Sequence, residues 1–338
     1  PVLCVAAARL PGSGRLVVCS GDTRGPVHVW DATGLAAGGG GGGGDAEPVA
    51  TLRGVHDWGV NCMDLVALPE CVNRMGGPQE IKEELRETVP GPLTDRVAEV
   101  AARHKMYVAL PLAEVHDGRY YNNVTFIGRD GEIVGKYLKN QPTVGEMEAG
   151  TIPGTEAPAF ELDFGKVGAA ICFDLKYFEV GQRLADSRAR LVVFASAFIG
   201  GERLLHWARD FGFYVLSSCA ARSYLVDMSG RFLGETGSEI NQVRSGLLPP
   251  IFSAVVNMDR MFYHLDGNQN KFQDILAKYG PGVEIENHYP EAHFTMASLM
   301  DEVSIEDINE EFELEPWNQY LARARSERAR YLKEAGVA

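Results

Sequence analysis

From Met63 onward the sequence predicts an α/β protein, and three observations carry that prediction. Runs such as L-V-V-F-A (191–195) are apolar throughout, as strands buried on both faces are. Between such runs lie segments of helical period, among them 94–104, where Leu93, Val97, Val100 and Ala101 form one apolar stripe. Turn chemistry punctuates the pattern, most strongly at the hairpin turn R-D-G (129–131).

Taken in order, D-L-V-A-L-P-E (64–70) is a buried strand that stops at Pro69 and presents Glu70. Helical period follows over 80–87 and 94–104, then a strand over 106–111. Residues 120–127 and 132–138 flank the R-D-G turn as a hairpin, which leaves Lys139 at a strand end. Strands over 159–162 and 167–171 pair across F-G-K, with Cys172 at the exit. A buried strand over 191–195, a helix over 204–211 and strands over 214–218 and 223–227 follow. The last of these turns at Met228, Ser229 and Gly230, and 253–257 ends the regular part.

Residues 1–62 have a different texture. Short β-like runs over 15–20, 27–30 and 49–52 are separated by Gly-rich turns, and Gly38 to Gly44 is an unbroken glycine run that reads as a flexible linker. V-H-V-W-D (27–31) resembles a WD repeat, with Trp30 and Asp31 as the signature dipeptide and His56 opening the next unit. About one unit is visible, and a propeller needs roughly 4 to 8 blades to close.

Composition excludes several classes. The 338 residues carry 46 acidic and 32 basic side chains, a net charge of −14, which argues against a nucleic-acid or anionic-membrane surface. Six cysteines (Cys4, Cys19, Cys62, Cys71, Cys172, Cys219) show neither C-x-x-C pairs nor regular spacing, so neither zinc nor a disulfide framework is expected. A reducing, cytoplasmic setting is the expectation. No apolar run approaches the roughly 20 residues that span a bilayer.

Chemistry concentrates at V-G-A-A-I-C-F-D-L-K-Y-F-E (167–179), where an apolar strand changes at Cys172 into a segment of helical period. A thiol at such a junction faces the unpaired amides of the next helical turn, which lower a thiol pKa and can hold an oxyanion. Glu70, Lys139 and Cys172 all sit at strand exits, where distant segments of layered folds converge. Jointly they supply a base, a fixed cation and a nucleophile.

L-P-E (68–70), G-K-Y-L-K (135–139) and G-A-A-I-C-F-D-L-K-Y-F-E (168–179) resemble, in order and spacing, the nitrilase or carbon–nitrogen hydrolase superfamily. G-R-Y-Y-N-N-V-T-F-I-G-R-D-G-E-I-V-G (118–135) and R-A-R-L-V-V-F-A-S-A-F (188–198) extend the likeness between the motifs. The resemblance implies a four-layer α-β-β-α sandwich over about 63–300, with the family's first strand and helix replaced by the WD-like segment. It implies hydrolysis of a non-peptide C–N bond in a small amide or carbamoyl compound, with nitriles as the alternative substrates. A protein disabled by its altered N-terminus is the other alternative. Glu70 would be the general base, Lys139 the charge that supports the tetrahedral intermediate, Cys172 the nucleophile, and the Phe173 backbone N–H an oxyanion donor. Glu146, seven residues after the lysine, would orient it, with Glu148 as the competing assignment. No metal or organic cofactor is implied.

Phe173 and Asp174 stand where nitrile-hydrolysing relatives more often carry Trp and Glu, which leans toward amides. Phe178 replaces the proline that usually precedes the glutamate matched by Glu179. His206, Trp207 and Arg222 are weaker pocket candidates, each with a structural reading as a helix-face or strand-end residue. The tail, 301–338, is acidic and then helical over 317–333, with Trp317, Tyr320, Leu321, Ala324 and Tyr331 on one side and arginines on the other. Its charge blocks and the family habit predict a homo-oligomer.

Overall fold

The computed structural model describes residues 65–74, 84–219, 222–235, 254 and 256–337, together with four strands, 7–9, 16–21, 27–31 and 50–52, as backbone. The glycine run Gly38 to Gly44, His56, Cys4 and Cys62, and residues 80–83 lie outside these residues. Over 84–87 the helix expected at 80–87 does not form, because Glu87 instead bridges Glu114, its amide donating to the Ala113 carbonyl at 3.2 Å.

The N-terminal strands β1 (Ala7–Arg9), β2 (Leu16–Gly21), β3 (Val27–Asp31) and β4 (Ala50–Leu52) pair antiparallel in that order. Three of them fall on the β-like runs read from the sequence.

Two further sheets form the sandwich. One has the order β5 (Leu65–Ala67), β6 (Tyr107–His116), β7 (Arg119–Ile127), β8 (Ile133–Leu138). The other runs β14 (Phe232–Glu235), β13 (Tyr224–Val226), β12 (Tyr214–Cys219), β11 (Leu191–Ser196), β10 (Gly165–Ile171), β9 (Ala159–Leu162), with β10, β11 and β12 parallel. Ala109, Val124, Phe126 and Tyr137 of the first sheet share one core with Val167, Ala169, Ile171 and Val193 of the second, so the sheets stack face to face. The contact is close enough to require Gly135. A Cβ there would lie 2.1 Å from the Phe160 ring.

Strand alternation turns Val108, Leu110 and Leu112 to the other face of the first sheet. The helix α1 (Pro92–His104) packs on β6 and β7 through buried Leu93, Val97 and Ala101. After α2 (Val144–Glu148), the helices α3 (Phe178–Asp186) and α4 (Glu202–Phe211) cover the second sheet with Val180, Leu184, Leu204 and Phe211. The layered α/β arrangement expected from the sequence is the one the chain adopts.

A third sheet follows where the sequence suggested that regular structure ends. Strands β15 (Arg260–His264), β17 (His293–Ser298) and β16 (Val283–His288) lie in that antiparallel order, with helices α5 (Phe272–Tyr279), α6 (Ile305–Glu311) and α7 (Trp317–Glu334). Ile305 and Ile308 share a core with Tyr263, Phe294 and Met296, so the boundary expected at 300 falls inside one packed unit. The first turn of α7 is anchored by Trp317, whose indole N–H donates to the Asp210 carbonyl at 2.9 Å, while Tyr331 is 61% exposed. Among the described residues no helix is long and apolar enough to cross a membrane.

Candidate active site

The carboxyl ends of the parallel strands are level. Ile171 pairs with Ala195, and Ala195 with Ser218, so the residues leaving β10, β11 and β12 meet at one edge of the sandwich. Cys172 leaves β10 there, at φ 48°, and opens a short 3-10 turn, Cys172–Lys176, before α3 begins. A non-glycine residue in the left-handed region is uncommon, and such strain concentrates at functional positions.

The first sheet brings its own strand exits to the same place. Leu68 and Pro69 carry the chain from β5 to Glu70, and Lys139 follows the last residue of β8. Lys139 Nζ donates to Glu70 Oε1 at 2.9 Å and to both Glu146 oxygens at 2.8 Å. Its side chain is 1% exposed, against 8% for Glu70 and 27% for Glu146. Burial alone would favour a neutral lysine, but the two carboxylates outweigh it and hold the ammonium well above its usual range. Partial burial raises Glu146, yet Lys139, the Thr143 amide and Asn122 together hold it below the usual carboxylate range.

Local sequence explains how Glu146 is presented. Thr143 caps α2 through its side chain, and Glu146, three residues on, returns a carboxylate oxygen to the Thr143 amide at 2.7 Å. Glu148, the competing assignment, is exposed on the same helix.

Two contacts absent from the sequence reading complete the Glu70 environment. The Ala197 amide donates to its Oε2 at 2.8 Å, and Asn122 Nδ2 to its Oε1 at 2.8 Å. The Cys172 thiol is within hydrogen-bonding reach of both Glu70 and the Ser196 hydroxyl. Burial, and then the Glu70 charge, push it up to about 11, against the opposing pull of Lys139 and Ser196. That reverses the lowered thiol pKa expected from the helix amides: the turn after Cys172 is short, and desolvation beside a carboxylate dominates.

Of the other sequence candidates, Phe173 follows Cys172 in the 3-10 turn, its ring edge-on to Tyr177 at 5.4 Å. Phe178 is exposed, its ring tilted against that of Phe211 with centroids 4.8 Å apart. Trp207 is core, packed against Phe211 and Phe213, and His206 is exposed on α4. Arg222 pairs with Glu235 at 3.0 Å. Asp174 is fully buried and accepts from Tyr137, Ile171 and Gln141. A second thiol, Cys71, is adjacent to Glu70 in sequence, and burial pushes it up to about 12. Among the described residues no group of three His, Cys, Asp or Glu side chains is placed to hold a metal ion.

The model of the carbon-nitrogen hydrolase family matches residues 59–249. Omega-amidase NIT2 of Xenopus tropicalis is 29% identical over 202 residues, which cover 52% of this chain and 73% of that protein. Omega-amidase NIT2 of Homo sapiens gives the same identity and coverage. The crystal structure of an amidase from Nesterenkonia sp. is similar in fold, with a TM-score of 0.50 at 17% identity over 63% of this chain and 83% of that one.

Proposed function

This chain belongs to the carbon–nitrogen hydrolase family, and from that premise we propose that it hydrolyses a small carboxamide through a Cys172 thioester. The observation that carries the reading is the single buried ammonium of Lys139 joining Glu70 and Glu146 within reach of the thiol at the β10 exit.

In the proposed cycle the Cys172 sulfur attacks the amide carbon while its proton passes to Glu70. The charge on the carbonyl oxygen is met by Lys139 and the Phe173 amide. The C–N bond then breaks as Glu70 returns the proton to the leaving nitrogen, and ammonia or an amine departs. Water next loses a proton to Glu70 as its oxygen attacks the thioester; the acid leaves and the thiol recovers its proton. Glu146 keeps Lys139 in place without taking part in proton transfer. Positioned acid–base catalysis contributes about 10²–10⁴-fold and each oxyanion donor about 10²–10³-fold, which makes a covalent route through an amide feasible.

The omega-amidase relatives support a carboxamide over a nitrile as substrate. The antiparallel order of β1 to β4 supports reading the N-terminal segment as one WD-type blade, and the exposed far half of α7 supports a homo-oligomer.

Ammonia release from small amides, carbamoyl compounds and nitriles by the full chain and by Cys172→Ala tests the reading. Release from amides that vanishes in the variant is expected. Release that persists in Cys172→Ala, or none from the folded wild type, would overturn it.

A further inference from the structure

Asn122 meets the lysine segment twice. Its backbone carbonyl accepts from the Lys139 amide at 2.8 Å, which fixes the end of β8 against β7. Its side-chain Nδ2 donates at 2.8 Å to Glu70 Oε1 and at 3.0 Å to Glu146 Oε1. Those are two of the three carboxylate oxygens that Lys139 holds. The residue is 4% exposed, and among the described residues nothing donates to its Oδ1. The orientation of the amide is thus set by the two carboxylates, since a flip would turn its oxygen onto two anionic oxygens.

Charge explains why a neutral donor belongs there. Two carboxylates around one ammonium leave a local excess of one negative charge, and the carboxylates repel each other. A lysine in that place would remove the excess, and an aspartate would double it. An amide N–H₂ bridges both anions while leaving the count unchanged.

We infer that Asn122 is a positioning residue, whose side-chain amide holds Glu70 and Glu146 together on Lys139 so that Glu70 keeps its Oε2 on the Ala197 amide and its carboxylate within reach of the thiol. The inference rests on the function proposed above for what the arrangement achieves, but not for the arrangement itself. It concerns the side chain alone, because the main-chain bond to Lys139 survives substitution.

The test uses the full chain as wild type, Asn122→Ser, which withdraws the amide, and Asn122→Asp, which keeps the shape and replaces the donor by a charge. Crystal structures of the wild type and the two variants are compared first, and need no substrate. Separation of Glu70 or Glu146 from Lys139 beyond hydrogen-bond distance is expected in both variants. Carboxylates unmoved in both would overturn the inference. Kinetics of ammonia release then separate positioning from mere support of the fold. Each variant should lose at least tenfold in kcat with KM within about twofold, and the acid limb of the pH profile should move to higher pH, because a carboxylate that has lost a donor protonates more readily. An unchanged kcat and acid limb in a folded Asn122→Ser would equally overturn it. Failure of the wild type to release ammonia would sink the proposed hydrolase, while the crystal structures would still decide the role of Asn122.

Discussion

The Tyr137 hydroxyl donates to Asp174 Oδ2 at 2.8 Å, and the same carboxylate accepts from the amides of Ile171 and Gln141 at 2.8 and 2.7 Å. One buried side chain therefore ties β8 and the loop after Lys139 to the last residue of β10 before Cys172. The two strand exits that carry the lysine and the thiol are held in register through this carboxylate, beneath the site.

Asp174 should make stability depend on pH in an unusual direction. Burial raises it from 3.8 to about 6, against the three donors and Lys139. An acid whose folded value exceeds its unfolded one binds more protons in the native state between the two, so its contribution falls as pH rises from about 4 to about 6. A shift of this size corresponds to about 3 kcal/mol. Asp174→Asn should remove that slope while lowering stability throughout. Urea unfolding at pH 4, 5, 6 and 7 checks it; identical slopes in wild type and variant would refute the assignment.

Glu70, Lys139 and Cys172 were legible because each follows a run whose pattern marks a strand end. Asn122 was not. It sits beside Asn123 in mid-strand, and alternation sends one to the site and the other to the opposite face without saying which. Glu146 and Glu148 lie on one short helix, and the Thr143 capping box, visible as T-V-G-E, was the signal that could have separated them. The left-handed backbone of Cys172 and the raised thiol both arise from tertiary burial, which no local pattern carries. The third sheet escaped because V-E-I-E-N-H alternates as a half-exposed strand amid acidic and helical text.

Glu146 should matter less than Glu70. Its carboxylate is the more exposed of the two, and Lys139 keeps Glu70 when Glu146 is neutralised. Glu146→Gln is expected to lower kcat by about tenfold, well below the loss of a general base. Thr143→Ala, which breaks the cap, should weaken α2 by about 1 kcal/mol and lower kcat only slightly. Steady-state ammonia release across the two variants checks the ranking; a larger loss in Thr143→Ala would reverse it.

Gly154 constrains the lysine segment from the far side. Its amide donates to the Lys139 carbonyl at 2.8 Å, and a Cβ at this position would meet the Leu138 carbonyl oxygen at 2.3 Å. Because the obstacle is backbone, no side-chain rotation relieves it. Gly154→Ala should cost about 1–3 kcal/mol of stability, as overpacking does, and lower kcat by displacing Lys139. Thermal unfolding and ammonia release measured together check this, and wild-type values in both would show that the loop yields freely.

Glu70→Gln should act in opposite directions on two properties of Cys172. The Glu70 charge is one of the causes that raise the thiol, so its removal increases the thiolate fraction at neutral pH. Alkylation by iodoacetamide, which proceeds through the thiolate, should then be faster in Glu70→Gln than in wild type. Turnover should fall by about 10²–10⁴-fold, because the group proposed to carry the proton to the leaving nitrogen is gone. Cys71, which burial and then Glu70 raise further than Cys172, should label more slowly than Cys172 in both proteins. Peptide mass mapping of alkylation over time, set beside ammonia release, reads both effects. Slower alkylation in the variant would mean that Glu70 activates the thiol at rest, and the proton would then leave before attack rather than with it.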